Sequence, residues 1–118
     1  SILYKKLISI EKQQFEQNIN TYILNHLTED LSVDRLCEHL HLSRRKIYEY
    51  SEEFLHCSIA KYIKKMRLQY AQTLLTKTIL PISTISEQCG FSDYNYFCRV
   101  FKQENGMSAR SYRTAQQT

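Results

Sequence analysis

Glycine appears twice in 118 residues, proline once and tryptophan not at all. So few chain breakers exclude a turn-rich β fold, whose hairpins call for glycine, asparagine or proline at fixed places. Long apolar runs are missing as well. No stretch approaches the ~18–20 residues that a membrane-spanning helix needs, and the start of the chain carries no signal-peptide pattern. The four cysteines, Cys37, Cys57, Cys89 and Cys98, form no C-x-x-C pair, and His26, His39, His41 and His56 stand at no zinc-finger spacing from them. They read as free thiols in a reducing cytoplasm, with no metal and no cofactor implied. A glycine-rich phosphate loop, paired catalytic carboxylates and an activated nucleophile are all lacking, which speaks against an enzyme. The chain opens on Ser1 in place of Met, which points to a piece of a longer protein.

What remains is a composition rich in Leu, Ile, Lys, Gln and Glu, with 42% hydrophobic and 24% charged residues, suited to one helical globular domain. The net charge of +4 is unevenly spread. Residues 1–42 hold four Lys/Arg against six Asp/Glu, and residues 43–118 hold twelve against six, so a balance of −2 is followed by one of +6. A basic C-terminal two-thirds suits a polyanionic partner.

Apolar spacing predicts an all-α order. Phe15, Ile19, Tyr22, Ile23 and Leu27 mark one face of a first helix, and Val33, Leu36, Cys37 and Leu40 a second. Ser43 caps a third that carries Ile47, Tyr50 and Phe54. Ser58 opens a long fourth helix to about Lys77, striped by Ile59, Ile63, Met66, Tyr70 and Leu74. Pro81 starts a fifth, which Gly90 ends. Asp93 to about Asn105 is the sixth, stopped by Gly106, and Ser108 begins a short seventh through Tyr112. Residues 1–14 stand apart, either as a linker or as an extra N-terminal amphipathic helix bearing Leu3, Leu7, Ile8 and Ile10.

An internal repeat organises these helices. Leu31, Val33, Leu36, Glu38, Leu42 and Ser43 recur 49 residues later as Leu80, Ile82, Ile85, Glu87, Phe91 and Ser92. One inserted residue then shifts the offset to 50, and Ile47, Tyr50, Ser58 and Tyr62 answer Phe97, Val100, Ser108 and Tyr112. Each unit reads as a short helix, a tight turn and a longer helix, the layout in which the second helix enters a DNA major groove. The units span about residues 31–56 and 80–106, within a domain covering residues 15–118. The linker helix, about residues 58–77, is roughly 28 Å long, near the ~34 Å between successive major-groove faces.

The stretch from Gly90 through Lys102, followed by Gly106-Met107-Ser108 and Tyr112-Arg113, strongly resembles the signature of the AraC/XylS family. Arg67-Leu68, Ala71 and Leu74-Leu75 resemble that family's linker helix. The resemblance implies seven helices, two helix-turn-helix subdomains joined by one long helix, and sequence-specific binding of double-stranded DNA in bacterial transcription. It also implies contact with RNA polymerase and a separate regulatory or sensor domain in the full-length protein. The first unit departs from the family pattern. Glu49 stands where the family has arginine, Ser51 where it has phenylalanine and His56 where it has glycine; outside that unit, Ala109 replaces a proline.

On a recognition helix starting near Arg44, the groove-facing positions are Arg44, Arg45, Tyr48 and Glu49. Their counterparts in the second unit are Tyr94, Asn95, Cys98 and Arg99. Arginine pairs bidentately with guanine, asparagine with adenine, and a carboxylate accepts from the cytosine amino group. Lys102, Arg110, Arg113 and the hydroxyls of Ser43 and Ser92 suit phosphates, which position a protein without reading sequence. Lys61, Lys64 and Lys65 add to the phosphate contacts or simply keep the linker helix soluble. Tyr96 and Phe97 are expected in the core. The competing reading is a helical module that binds another regulator in place of DNA, and Glu49 with the altered first unit is what favours it.

Overall fold

A computed structural model describes residues 1–117, and every regular element among them is helical. The order is α1 (Ile2–Asn25), α2 (Val33–Leu40), α3 (Arg44–Tyr50) continuing into a π turn (Ser51–Leu55), α4 (Ile59–Lys77), α5 (Ile82–Gln88), α6 (Tyr94–Asn105) and α7 (Ala109–Gln116). The predicted all-α architecture with two helix-turn-helix units holds. Side-chain oxygens that satisfy an otherwise orphaned backbone N–H set most of the starts. Ser1, Ser32, Ser43, Ser58 and Ser108 accept from the third residue on at 3.1–3.2 Å, and Asp93 does the same for α6. Pro81 precedes α5 and makes no such bond.

The chain divides into two units. The first comprises Ser1–His26 and Asp30–Lys64, the second Leu27–Glu29 and the residues from Lys65 onward. In the first, Phe15, Ile19, Tyr22 and Ile23 of α1, Leu36 of α2, Ile47 of α3 and Phe54 of the π turn are buried. Phe15 meets the Tyr50 ring edge-on at 5.2 Å, and Glu11 accepts from the Tyr50 hydroxyl at 3.2 Å. In the second, Leu68, Ala71, Leu75, Ile85, Cys89, Phe91, Phe97, Val100, Phe101 and Ala109 form one core. An aromatic ladder runs through it from Phe91 to Phe97 (5.1 Å), Phe101 (5.8 Å) and Tyr112 (5.5 Å), which docks α7. Each fully buried phenylalanine contributes about 1.5–3 kcal/mol of transfer free energy. Burial also pushes the Cys89 thiol up to about 12, so it stays protonated.

Three boundaries differ from expectation, each for a local reason. Residues 2–14 are neither a linker nor a separate helix: α1 runs unbroken for 24 residues. No glycine or proline interrupts it. The third helix is shorter, because the buried Ser51 hydroxyl donates to the Ile47 carbonyl at 2.7 Å and the chain widens into the π turn. The seventh runs on past Tyr112 to Gln116, with nothing in Arg113-Thr114-Ala115 to stop it.

The repeat reaches the backbone. Leu42 N–H bonds the Cys37 carbonyl at 3.1 Å, and 49 residues on Phe91 N–H bonds the Ser86 carbonyl at 3.0 Å. The left-handed residues correspond too. His41 (φ 56) and His56 (φ 58) in the first unit answer Gly90 (φ 94) and Gly106 (φ 73) in the second. Histidine tolerates this region better than most side chains but less freely than glycine.

Candidate nucleic-acid interface

A helix presents residues i, i+1, i+4 and i+5 along one flank, so burying the opposite flank decides what faces outward. In α6 the buried flank is Phe97, Val100 and Phe101. Tyr94, Asn95 and Arg99 are exposed and Cys98 half-buried on the other side, with Lys102 one turn further on. In α3 the buried residue is Ile47, and Arg44, Arg45, Tyr48 and Glu49 are exposed. The eight residues expected to face a groove thus form two matching rows, one on each unit.

The two rows differ in electrostatics. In the first, every cation has a carboxylate partner. Arg44 Nη1 pairs with Asp34 Oδ1 at the start of α2, and its Nη2 donates to the Tyr48 hydroxyl at 3.4 Å. Asp34, chiefly through its charge, raises the Arg44 guanidinium above its ordinary value, and Tyr48 adds to the shift. Arg45 Nε donates to Glu49 Oε1 at 3.1 Å, and Lys46 Nζ lies 3.7 Å from Glu49 Oε2. In the second row, the partner of Arg99 is the Tyr96 ring, 5.3 Å from the guanidinium carbon to the ring centroid. A hydrogen bond with Cys98, and after it desolvation, raise the Tyr94 phenol above its ordinary value. The repeat position of Asp34 is Ser83, which carries no charge.

The phosphate candidates separate. Ser43 caps α3 with its oxygen and keeps a hydroxyl proton to donate. Ser92 does not share that duty. The inserted residue moves the cap of α6 to Asp93, leaving Ser92 exposed beside it. Lys102 and Arg110 are exposed on α6 and α7. Arg113 is engaged within its own unit. Its guanidinium is half-buried and donates from Nε to the Leu75 carbonyl at 3.1 Å and from Nη2 to the Thr78 carbonyl at 3.3 Å. It caps the C-terminal end of α4, where a cation also complements the helix dipole.

Tyr96 likewise departs from the expected core position. Phe97 is fully buried, but Tyr96 is exposed, on the shoulder of α6, where its ring supports Arg99. Tyr96, Asp34 and Lys46 are the members of this surface that sequence reasoning missed. A charge ten residues from its partner has no periodic signature. The Arg45–Glu49 pair, at spacing i,i+4, does.

Residues 36–115 match the model of a family described as a helix-turn-helix domain. The chain is similar to the HTH-type transcriptional activator RhaR of Salmonella dublin, being 36% identical over 93 residues that cover 79% of this chain and 33% of that protein. It therefore spans about a third of the length of the curated relatives it matches. Among solved structures it resembles the C-terminal domain of AraT, a response regulator from Geobacillus stearothermophilus, with a TM-score of 0.72, 31% identity and coverage of 81% of this chain and 80% of that one. The fold also matches a transcriptional regulator with an AraC-type DNA-binding domain from Chromobacterium violaceum, with a TM-score of 0.83, 24% identity and coverage of 91% and 96%.

Proposed function

The chain belongs to the AraC/XylS family of helix-turn-helix transcription regulators, and from that premise we propose that it reads double-stranded DNA with α3 and α6, each laid in its own major-groove segment. The observation that carries this reading is the outward row of α6, where Asn95 and Arg99 supply adenine- and guanine-reading chemistry on a helix anchored by Phe97 and Phe101. Ser43, Ser92, Lys102 and Arg110 take phosphates. The full-length protein recruits or blocks RNA polymerase in the cytoplasm under control of a sensor region, and this segment performs no catalysis. No helix among the described residues is long and apolar enough to cross a membrane. Binding to another regulator in place of DNA is the weaker reading, because it leaves the exposed Arg99 and the +6 balance after residue 42 without a use.

Selection of bound sequences from random duplex DNA tests this. Two subsites should emerge, and inserting about five base pairs between them should turn them to opposite faces and abolish most binding. Affinity should also fall with salt, at a log–log slope of about 0.9 per neutralised phosphate. Equal affinity for selected and scrambled duplexes at every salt concentration would reject specific reading, and tolerance of the insertion would leave one unit engaged.

The carboxylates on the first row set a further expectation. Asp34 and Glu49 hold Arg44 and Arg45 and place negative charge where phosphates must approach, so we read this unit as restrained. Asp34→Asn and Glu49→Ala should each tighten binding to all duplexes by roughly two- to tenfold and steepen the salt slope by up to about one. Loss of preference at a single cytosine on Glu49→Ala, with no general gain, would instead make Glu49 a base reader.

A further inference from the structure

α1 carries two apolar stripes, and the fold uses one. At about 100° per residue, Ile8, Phe15, Ile19, Tyr22 and Ile23 share the face that packs into the first unit. Leu3, Leu7 and Ile10 lie roughly 140° around the helix from that face. They remain 69%, 53% and 53% exposed, although side chains of this kind are usually buried. Their spacing of four and then three is that of successive d, a and d positions in a heptad. Lys6 and Glu11 flank the stripe at the g position and at the e position of the next heptad.

We propose that Leu3, Leu7 and Ile10 form the seam of a parallel two-helix coil between two copies of this chain. In a parallel pair, Lys6 of one helix faces Glu11 of the other, and the two-fold symmetry makes the ion pair twice. An antiparallel pair sets g against g and e against e, which forfeits both contacts. Glu11 is able to serve here because Tyr50 occupies only its Oε2. The next seam positions, Gln14 and Gln17, are polar, so the coil ends before the part of α1 that packs on its own unit. Three seam residues from each copy bury less than the ~1,200–2,000 Å² of a standard interface, which makes the pairing weak and concentration-dependent.

Sedimentation of the 118-residue chain over a concentration series reads this directly. Dimers should appear in the range of hundreds of micromolar. The triple variant Leu3→Ser/Leu7→Ser/Ile10→Ser should weaken association at least about tenfold, the loss expected when several exposed leucine-type contacts are removed. Lys6→Glu alone, and Glu11→Lys alone, should each weaken it about fivefold, and the double exchange should restore it to within about twofold. A melting curve for each variant separates lost pairing from lost folding, since Glu11→Lys also removes the Tyr50 bond. A chain that stays monomeric to about 1 mM, or a triple variant that associates like the parent, overturns the proposal. So does failure of the exchange to restore pairing.

Discussion

Gly90→Ala should unfold the second unit, or lower its melting temperature by roughly 15 °C or more, while Gly106→Ala should lower it by only about 5 °C. Both glycines sit at positive φ, where a Cβ adds about 1–2 kcal/mol of backbone strain. Their surroundings differ. Nothing lies within 4 Å of a Cβ placed on Gly106, whereas one on Gly90 would stand 1.9 Å from the Leu27 carbonyl oxygen and 2.8 Å from Arg67 Nε. The Arg67 side chain can shift, but the Leu27 oxygen belongs to backbone that the second unit holds in place. Overpacking adds about 1–3 kcal/mol to the strain, a large share of the ~5–15 kcal/mol that holds a domain folded. Thermal melts followed by circular dichroism measure both variants. Equal, mild shifts would show that the Leu27 segment yields, and the close approach would then carry no weight.

Glycine at residue 90 was legible as a helix end, because its type and its place after an apolar run state the requirement for a left-handed residue. Its crowding was not, since Leu27 lies 63 positions away and only the folded chain brings it near. His41, at the matching place in the first unit, gave no signal at all. The outward rows of α3 and α6 were readable for a different reason. The repeat aligns them, and helical arithmetic assigns their faces once Ile47 and Phe97 are inside. Long-range partners broke that arithmetic. Arg113 looked like one more surface cation, but its carbonyl acceptors lie 38 and 35 residues earlier. Tyr96 reads as a core residue beside Phe97, although its angle puts it on the shoulder of the helix. The start of α1 is hidden in the sequence, because Leu3, Leu7 and Ile10 lie on a different face from Phe15. A second apolar stripe looks like a separate element, yet the backbone has no reason to stop between the two.

Arg99→Ala should weaken binding to the selected site by about 1–3 kcal/mol, roughly 5- to 150-fold, and erase preference at one base pair. Arg99 is exposed on the row that faces away from Phe97 and Phe101, and its partner is the Tyr96 ring. A ring beneath a guanidinium restricts its rotamers and leaves the planar edge free for two parallel hydrogen bonds. Arg44 differs, since its hydrogen-bonding edge is already turned to Asp34. Arg99→Lys should therefore fail nearly as badly at that base pair while keeping the salt slope, because an ammonium group preserves charge but not the fork. Tyr96→Ala should give an intermediate loss at the same base pair by releasing the guanidinium. Arg110→Ala, at an exposed phosphate candidate, should weaken all duplexes alike and lower the salt slope by about one. Arg113→Ala should act through stability, visible in the melt before it reaches the binding profile, because it uncaps the Leu75 and Thr78 carbonyls. Binding-site profiles of the five variants separate these roles. Identical profiles for Arg99→Ala and Arg110→Ala would remove Arg99 from base reading, and a Tyr96→Ala profile matching that of the parent would leave the ring contact without a function in recognition.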